Sequence, residues 1–216
     1  MNYAVRAYTP TDETAWLRCR VLAFLGTAYF DDVCQTKPRV AAPGFELVAT
    51  AADGAVVAIA DVCLDGRLAT IDSIAVHPDH QGKGLGSALL AESLVRTAAL
   101  GATTLDAWSR DDADTLRWYR KSGFAESERY LHVYANYYTR AEEPDLAIAK
   151  RRPGLRPVMA FLHANLRDET LLREQFRRVH VCRRFTLDLS VGTDIGSIGD
   201  GAEIRATGLG TTEAAP

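Results

Sequence analysis

The residues of this chain with the clearest chemical potential form a glycine-rich stretch, residues 81–87 (QGKGLGS), between an apolar strand-like run and an amphipathic helix-like run. Its three glycines let the backbone approach a ligand closely and adopt φ values that a Cβ disfavours. The first N–H groups of the following helix have no intrahelical partner, and the helix dipole places positive potential at that same end. Lys83 adds a cation beside them. The stretch therefore predicts a phosphate-binding site.

Two common kinds of phosphate loop are excluded by the pattern itself. The P-loop pattern G-x-x-x-x-G-K-[ST] is absent, and Ser87 stands where a dinucleotide fingerprint would have its third Gly or Ala. The stretch also follows the last strand of a predicted antiparallel meander, whereas a Rossmann domain places it after the first strand of a parallel unit. The ligand must be identified by other residues.

A second pattern lies downstream, in residues 117–124 (RWYRKSGF), on the helix that follows the next predicted strand. Together the two patterns resemble the GNAT superfamily of acyl-CoA-dependent N-acyltransferases, whose signature is Q/R-x-x-G-x-G/A followed by a helix ending in Y-x-K-x-G-F. The resemblance covers roughly residues 3–135. The matching residues are Gln81, Gly84 and Gly86 in the first pattern, and Tyr119, Lys121, Gly123 and Phe124 in the second.

The resemblance implies acetyl-CoA as the cosubstrate, no metal, and a role for each matching position. The fourth strand would pair with the pantetheine arm, a backbone N–H near Val76 would polarise the thioester carbonyl, and Tyr119 would be the general acid for the departing thiolate. Asp112 stands where the family often has an Asn that contacts CoA, and it keeps only the helix-capping role. The implied cofactor-binding residues are Ile74, Ala75, Val76, Gln81, Gly82, Lys83, Gly84, Leu85, Gly86, Ser87 and Asp112.

The chemistry implied by the resemblance is direct attack of an amine on the thioester, which needs a base because amines are mostly protonated at neutral pH. Asp72 on the predicted fourth strand is our first candidate for the base, and Asp61 on the third strand is the other. Either carboxylate can equally be an exposed residue on one face of the sheet. Asp31 and Asp32 lie in the segment that borders the acceptor site in the family, although solvated turn carboxylates are the simpler interpretation.

The elements that position these residues follow from periodicity and turn signals. Strand-like runs joined by Asp-Gly turns predict an antiparallel meander, and a helical crossover predicts a parallel fifth strand. The resulting fold class is α/β (α+β), a GNAT-like, mostly antiparallel sheet with one splayed parallel pair and helices on both faces. The predicted strands are 3–8, 45–50, 56–64, 71–76, 103–108, 124–134 and 180–189. Two predicted helices begin near 12 and 85, and two more cover 113–121 and 168–179.

We expect one acyltransferase domain over residues 1–189, with a core of 1–136, an insertion of 137–178 and a closing strand of 179–189. Residues 190–216, rich in Gly, Ala, Thr and Ser, predict a poorly ordered tail. Residues 27–33 fit either a short helix or a structured loop. The insertion could cover the acceptor site or form a dimer contact, so a monomer and a homodimer both stay open.

Composition limits the binding partners and the cellular compartment that we expect for this protein. A formal net charge of -3 gives no electrostatic reason to expect nucleic acid or an anionic membrane. The N-terminus shows no signal peptide and no apolar run reaches membrane-spanning length, so we expect a cytoplasmic protein. The 4 cysteines lack metal-site or disulfide spacing and predict buried free thiols. His77 and His80 form an H-x-x-H pair without a nearby third ligand, which does not favour a metal.

The sequence thus predicts an N-acetyltransferase that moves an acetyl group from acetyl-CoA to a primary amine, preferably of a small molecule. A protein or peptide amine is the alternative acceptor. A CoA-binding sensor domain without transferase activity is the alternative from a different class.

Overall fold

The fold is described from a computed structural model of the chain, in which residues 2–190 are described. The chain divides into two compact units. The first contains the residues up to Ala107 and those from Leu187 onward, and the second is Trp108–Thr186. The sequence-based division into core, insertion and closing strand stays a prediction, and the predicted tail lies outside the described residues except at residue 190.

The first unit is a meander followed by a helical crossover, as the turn signals predict. Strands β1 to β4 pair antiparallel in chain order, and β5 pairs parallel with β4 after helix α2. Short 3-10 turns precede α1 at Pro10–Asp12 and the glycine stretch at Pro78–His80. The elements are β1 (Ala4–Ala7), α1 (Glu13–Phe24), β2 (Phe45–Thr50), β3 (Val56–Asp65), β4 (Leu68–Val76), α2 (Leu85–Ala99) and β5 (Thr104–Ser109).

The two faces of this sheet are covered by different helices, since successive strand residues point to opposite sides. On one face, Trp16 of α1 packs with Ile59 of β3 and Ala75 of β4. On the other face, Leu85 and Leu89 of α2 pack with β2 and β3 residues that alternate with the first set. Each helix therefore holds one side of the strands that carry the candidate site.

The second unit contains three antiparallel strands in the order β8-β6-β7 and three helices. β6 pairs with β8 from Ala125↔Thr186 to Tyr134↔Arg178, and with β7 from Leu131↔Ala164 to Asn136↔Met159. The elements are α3 (Ala113–Lys121), β6 (Ala125–Asn136), α4 (Glu143–Ala147), β7 (Met159–Ala164), α5 (Glu169–Gln175) and β8 (Arg178–Asp188).

Several elements within the predicted insertion could not be predicted from sequence periodicity. β7 and α4 were not predicted, because their flanking segments are polar and rich in proline. The helix predicted over 168–179 ends earlier, at Gln175, since Phe176 takes an extended conformation and leads into β8. Residues 27–33 form turns and a loop, and no helix.

The four cysteines differ in exposure. Cys19 and Cys182 are buried, Cys34 is half-buried and Cys63 is exposed, and all four are free. The expectation of buried free thiols is therefore wrong for Cys63, which lies near the end of β3. Within residues 2–190, no helix combines the length and apolarity needed to cross a membrane.

A single buried carboxylate joins the two ends of the predicted insertion. Glu143 of α4 is 1% exposed and accepts hydrogen bonds from the backbone N–H of Asn136 (2.9 Å) and of Arg177 (2.7 Å). Asn136 ends β6 and Arg177 immediately precedes β8, so this carboxylate fixes the entry and exit of the segment.

Replacement of Glu143 by Ala should lower the free energy of unfolding by about 3 kcal/mol, because two backbone N–H groups lose the buried carboxylate that accepts their hydrogen bonds. Denaturation by urea would measure the change. Glu142→Ala is the matched control, since the neighbouring carboxylate is exposed and pairs with Arg140. Equal effects of the two substitutions would show that the buried hydrogen bonds do not hold this segment.

Candidate cofactor-binding site

The glycine stretch forms a tight loop directly before α2. Gly82 and Gly84 have φ values of 72° and 78°, which residues with a Cβ rarely adopt, and Gly84 is the N-cap of the helix. The Gln81 side chain donates from Nε2 to the Val76 carbonyl oxygen (3.2 Å), and the Lys83 Nζ donates to the Asp79 carbonyl oxygen (2.8 Å). The first bond ties the loop to the end of β4, and the second ties it to the 3-10 turn that precedes the glycine stretch.

The loop presents backbone donors at the start of α2. The first intrahelical hydrogen bond runs from the Ala88 N–H to the Gly84 carbonyl oxygen, so the N–H groups of residues 85–87 precede the helical ladder. Leu85 is 1% exposed because its side chain belongs to the core, so only its backbone can serve a ligand. The space beside Gly82 is open, since a Cβ there would meet no atom of the described residues within 4 Å. This arrangement suits an anion.

The second half of β4 has one edge outside the sheet ladder. β4 and β5 pair only over Leu68–Ile71 and Thr104–Ala107, whereas β4 continues to Val76. On its other side β4 stays paired with β3 up to Val76↔Ala58. The backbone of residues 74–76 can therefore pair with an extended ligand, and the glycine loop begins a few residues further along the same chain.

The first base candidate, Asp72, lies in a β-bulge. The register of β3 and β4 shifts between Asp61↔Ser73 and Val62↔Ile71, which leaves Asp72 as the extra residue. Asp72 is exposed to solvent. Bulges disrupt the ladder locally and re-aim side chains, so the strand is irregular just before the residues that border the open edge.

The second base candidate, Asp61, lies across from Ser73 and is 2% exposed. Its Oδ2 is 3.1 Å from the ammonium of Lys37, which also hydrogen-bonds to the carboxylate of Glu46. Burial raises the pKa of the Asp61 carboxyl to about 6, although the Lys37 ammonium opposes this shift. The pKa of Lys37 is raised, because its two carboxylate partners outweigh burial.

Lys37 and Glu46 were not singled out by the sequence. Lys37 lies between α1 and β2, in a segment without regular structure, and Glu46 is one polar residue within β2. The ammonium of Lys37 lies 4.8 Å from the ring centroids of both Tyr8 and Trp16. No local pattern marks these residues, because their partners come from separate elements.

Tyr119 and Asp112 belong to the second unit. Tyr119 on α3 is 4% exposed; its ring stacks on Phe185 (centroids 4.9 Å apart, interplanar angle 12°) and meets Phe124 edge-on (5.3 Å). Asp112 is the N-cap of α3 and accepts from the Thr115 backbone N–H (2.9 Å) and hydroxyl (2.8 Å). Its carboxylate is thus engaged in the helix cap.

The remaining candidate groups have partners within the chain. Asp32 pairs with the buried guanidinium of Arg20 (2.9 Å). His80 Nδ1 lies 3.2 Å from the hydroxyl of Tyr3, and His77 Nδ1 accepts from the Asp79 backbone N–H. Over the described part of the chain, no group of three or more His, Cys, Asp or Glu side chains is arranged to hold a metal ion.

Comparison with known proteins identifies the family to which this chain belongs. The acetyltransferase (GNAT) domain family matches residues 43–126. The aminoglycoside N(6')-acetyltransferase type 1 of Stenotrophomonas maltophilia is 31% identical over 140 residues, which cover 59% of this chain and 90% of that protein. The chain belongs to the GNAT acetyltransferase family.

Three further similarities are more distant or partial. The mycothiol acetyltransferase of Clavibacter michiganensis subsp. michiganensis is 31% identical over 133 residues, 57% of this chain, and the match spans only 43% of that protein. An N-acetyltransferase from Staphylococcus aureus Mu50 has a TM-score of 0.56 at 16% identity, covering 88% of this chain and 100% of that chain. The structure of yncA from Salmonella typhimurium with its cofactor acetyl-CoA has a TM-score of 0.54 at 18% identity, covering 88% and 95%. The two solved structures share the fold.

Gly84→Asp should weaken CoA binding about tenfold or more, because a Cβ disfavours the positive φ and a carboxylate beside the donors would repel a pyrophosphate. Titration calorimetry with CoA would measure this. The matched control is Gly66→Asp, which also places Asp at a positive φ (57°), in the turn before the opposite end of β4. Equal CoA affinity for the two variants would mean that the phosphate site is elsewhere.

Proposed function

We propose that this protein is an N-acetyltransferase that moves an acetyl group from acetyl-CoA to a primary amine of a small molecule. The observation that carries the proposal is the continuity of the open β4 edge with the glycine loop, within one unit of a GNAT family member. An extended amide-containing arm ending in a pyrophosphate fits a strand edge followed by a cluster of backbone donors.

The roles of the residues follow from their backbone and side-chain groups. The backbone of Ile74, Ala75 and Val76 would hold the pantetheine arm, and the N–H groups from Gly82 to Ser87, with Gln81 and Lys83 bracing the loop, would hold the pyrophosphate. Acetyl-CoA supplies an acyl group activated as a thioester. The N–H of Val76 would stabilise negative charge on the thioester oxygen. Tyr119 would donate a proton to the leaving sulfur.

The acceptor class is supported by the two curated relatives, which are named for an aminoglycoside and for mycothiol. Both names denote small molecules, so a small-molecule amine is preferred over a protein or peptide amine. The carboxylates of Asp31 and Asp32 could attract a cationic amine. Asp32 contributes little to such attraction, because its charge is already paired with Arg20.

The environment of Tyr119 fits both an enzyme and the alternative of a CoA-binding domain without transferase activity. Tyr119 is buried in an aromatic stack, and a tyrosine whose only role is packing would have the same environment. The hydroxyl must therefore be tested separately from the ring.

Tyr119→Phe keeps the stacked ring and removes only the hydroxyl, so we expect kcat to fall about 100-fold while CoA affinity stays unchanged. Release of thiol from acetyl-CoA would be followed with kanamycin, cadaverine, ethanolamine, glycinamide and a short peptide with a free α-amine. Tyr138→Phe is the matched control, because Tyr138 is 79% exposed.

Three outcomes separate the hypotheses. Turnover of small amines supports the proposal, whereas turnover of the peptide alone supports the protein-acceptor alternative. Tight CoA binding by the wild-type protein without turnover of any amine would support the silent CoA-binding domain and contradict the enzyme.

A further inference from the structure

The cluster formed by Lys37, Glu46 and Asp61 buries more negative than positive charge. It contains one ammonium and two carboxylates, so its formal charge is −1 when all three groups are ionised. The Lys37 and Asp61 side chains are each 3% exposed, and the Glu46 side chain is 26% exposed. A buried site with an excess negative charge favours a further cation or a proton.

One carboxylate oxygen of this cluster lacks a hydrogen-bond partner within the described part of the chain. Asp61 Oδ2 faces the Lys37 ammonium at 3.1 Å, but Oδ1 is buried and has no hydrogen-bond donor among residues 2–190. Buried carboxylate oxygens without donors are costly and rare in folded proteins. Oδ1 can therefore accept a hydrogen bond from an N–H or O–H group of a ligand.

The location of Asp61 connects it to the proposed acetyl donor. Asp61 pairs with Ser73, which directly precedes the β4 residues whose edge is open, and the bulge at Asp72 lies next to this pair. Asp61 alternates with Ala60 and so points to the face of the sheet that α1 covers, opposite the face that packs on α2.

We propose that Asp61 is the proton acceptor for the amine substrate, and that Lys37 is a positioning residue that keeps its carboxylate ionised. This inference rests on the proposed function. The protonated amine R–NH3+ gives one proton to Asp61 Oδ1, directly or across one water, and becomes R–NH2. Its lone pair forms the N–C bond while the C–S bond breaks, and Tyr119 protonates the departing thiolate. The remaining extra proton on nitrogen restores the Tyr119 hydroxyl, directly or through solvent, and Asp61 later releases its proton to solvent.

The charges around Asp61 define its protonation behaviour. Lys37 lowers the pKa of Asp61, whereas burial, Glu46 of β2 and Asp72 of β4 raise it, and the resulting pKa is about 6. The other titratable groups of the surroundings are Tyr8 after β1, Glu13 of α1, which binds the Lys37 backbone N–H, and Cys63 of β3. A base with this pKa is ionised at neutral pH and suits proton transfer there.

The test is the pH dependence of kcat/KM in the full chain, with two amines from the panel that differ in their own pKa. We expect activity to fall below a pH of about 6 with both amines, because Asp61 becomes protonated. The alkaline limb should follow the amine. Asp61→Asn should lower kcat/KM about 100-fold and abolish the acid limb, and Lys37→Met should move that limb to higher pH.

Matched substitutions separate this role from folding and from the competing base. Asp65→Asn changes an exposed residue at the end of the same strand and should leave the profile unchanged. An acid limb that survives in Asp61→Asn, or that disappears in Asp72→Asn instead, overturns the proposal. If Asp61→Asn does not fold, an unshifted limb in Lys37→Met overturns it. Absence of transfer by the wild-type protein would refute the proposed function itself, a distinct result.

Discussion

The parallel pairing of β4 with β5 covers only four residues of each strand, and the candidate site depends on this limit. Beyond Ile71, the N–H and C=O groups on one edge of β4 lie outside the parallel ladder, while β3 still holds the opposite edge. Backbone polar groups need hydrogen-bond partners, and an extended ligand can supply them as an added strand would. Because the same chain continues into the glycine loop, one continuous segment offers both a pairing edge and a cluster of donors.

The ion cluster of Lys37, Glu46 and Asp61 places buried charge beside β3, on the face of the sheet that α1 covers. A buried ammonium is costly unless it is paired, and here two carboxylates and two aromatic rings surround it. The arrangement fixes an irregular segment to the sheet. Among residues 2–190, it also leaves one Asp61 carboxylate oxygen without a hydrogen-bond donor, which a purely structural ion pair would not require.

The second unit contains the proposed acid, Tyr119, and a buried carboxylate, Glu143, that holds the predicted insertion in place. Glu143 joins Asn136 and Arg177, near the two ends of the predicted insertion, through two hydrogen bonds from the backbone, so a polar, proline-containing segment is held by one buried side chain. Tyr119 is oriented by Phe124 and Phe185, whose rings restrict its position. Order in both units thus depends on buried groups contributed by segments far apart in sequence.

The sequence by itself determined the elements that local patterns encode. The strand Phe45–Thr50 and the helix Ala113–Lys121 have the predicted bounds, and the glycine loop lies between strand and helix as its spacing requires, because turn residues, caps and side-chain periodicity act over a few positions. The two GNAT patterns likewise led to the family that the comparisons show.

Only the tertiary structure decided where the parallel ladder stops, that Asp72 is an exposed bulge residue while Asp61 is buried, and that Lys37 lies between Glu46 and Asp61. It also revealed β7 and α4. These features arise from register and from contacts between separate elements. Burial and the pairing of charges are properties of such contacts, and no local stretch of sequence encodes them.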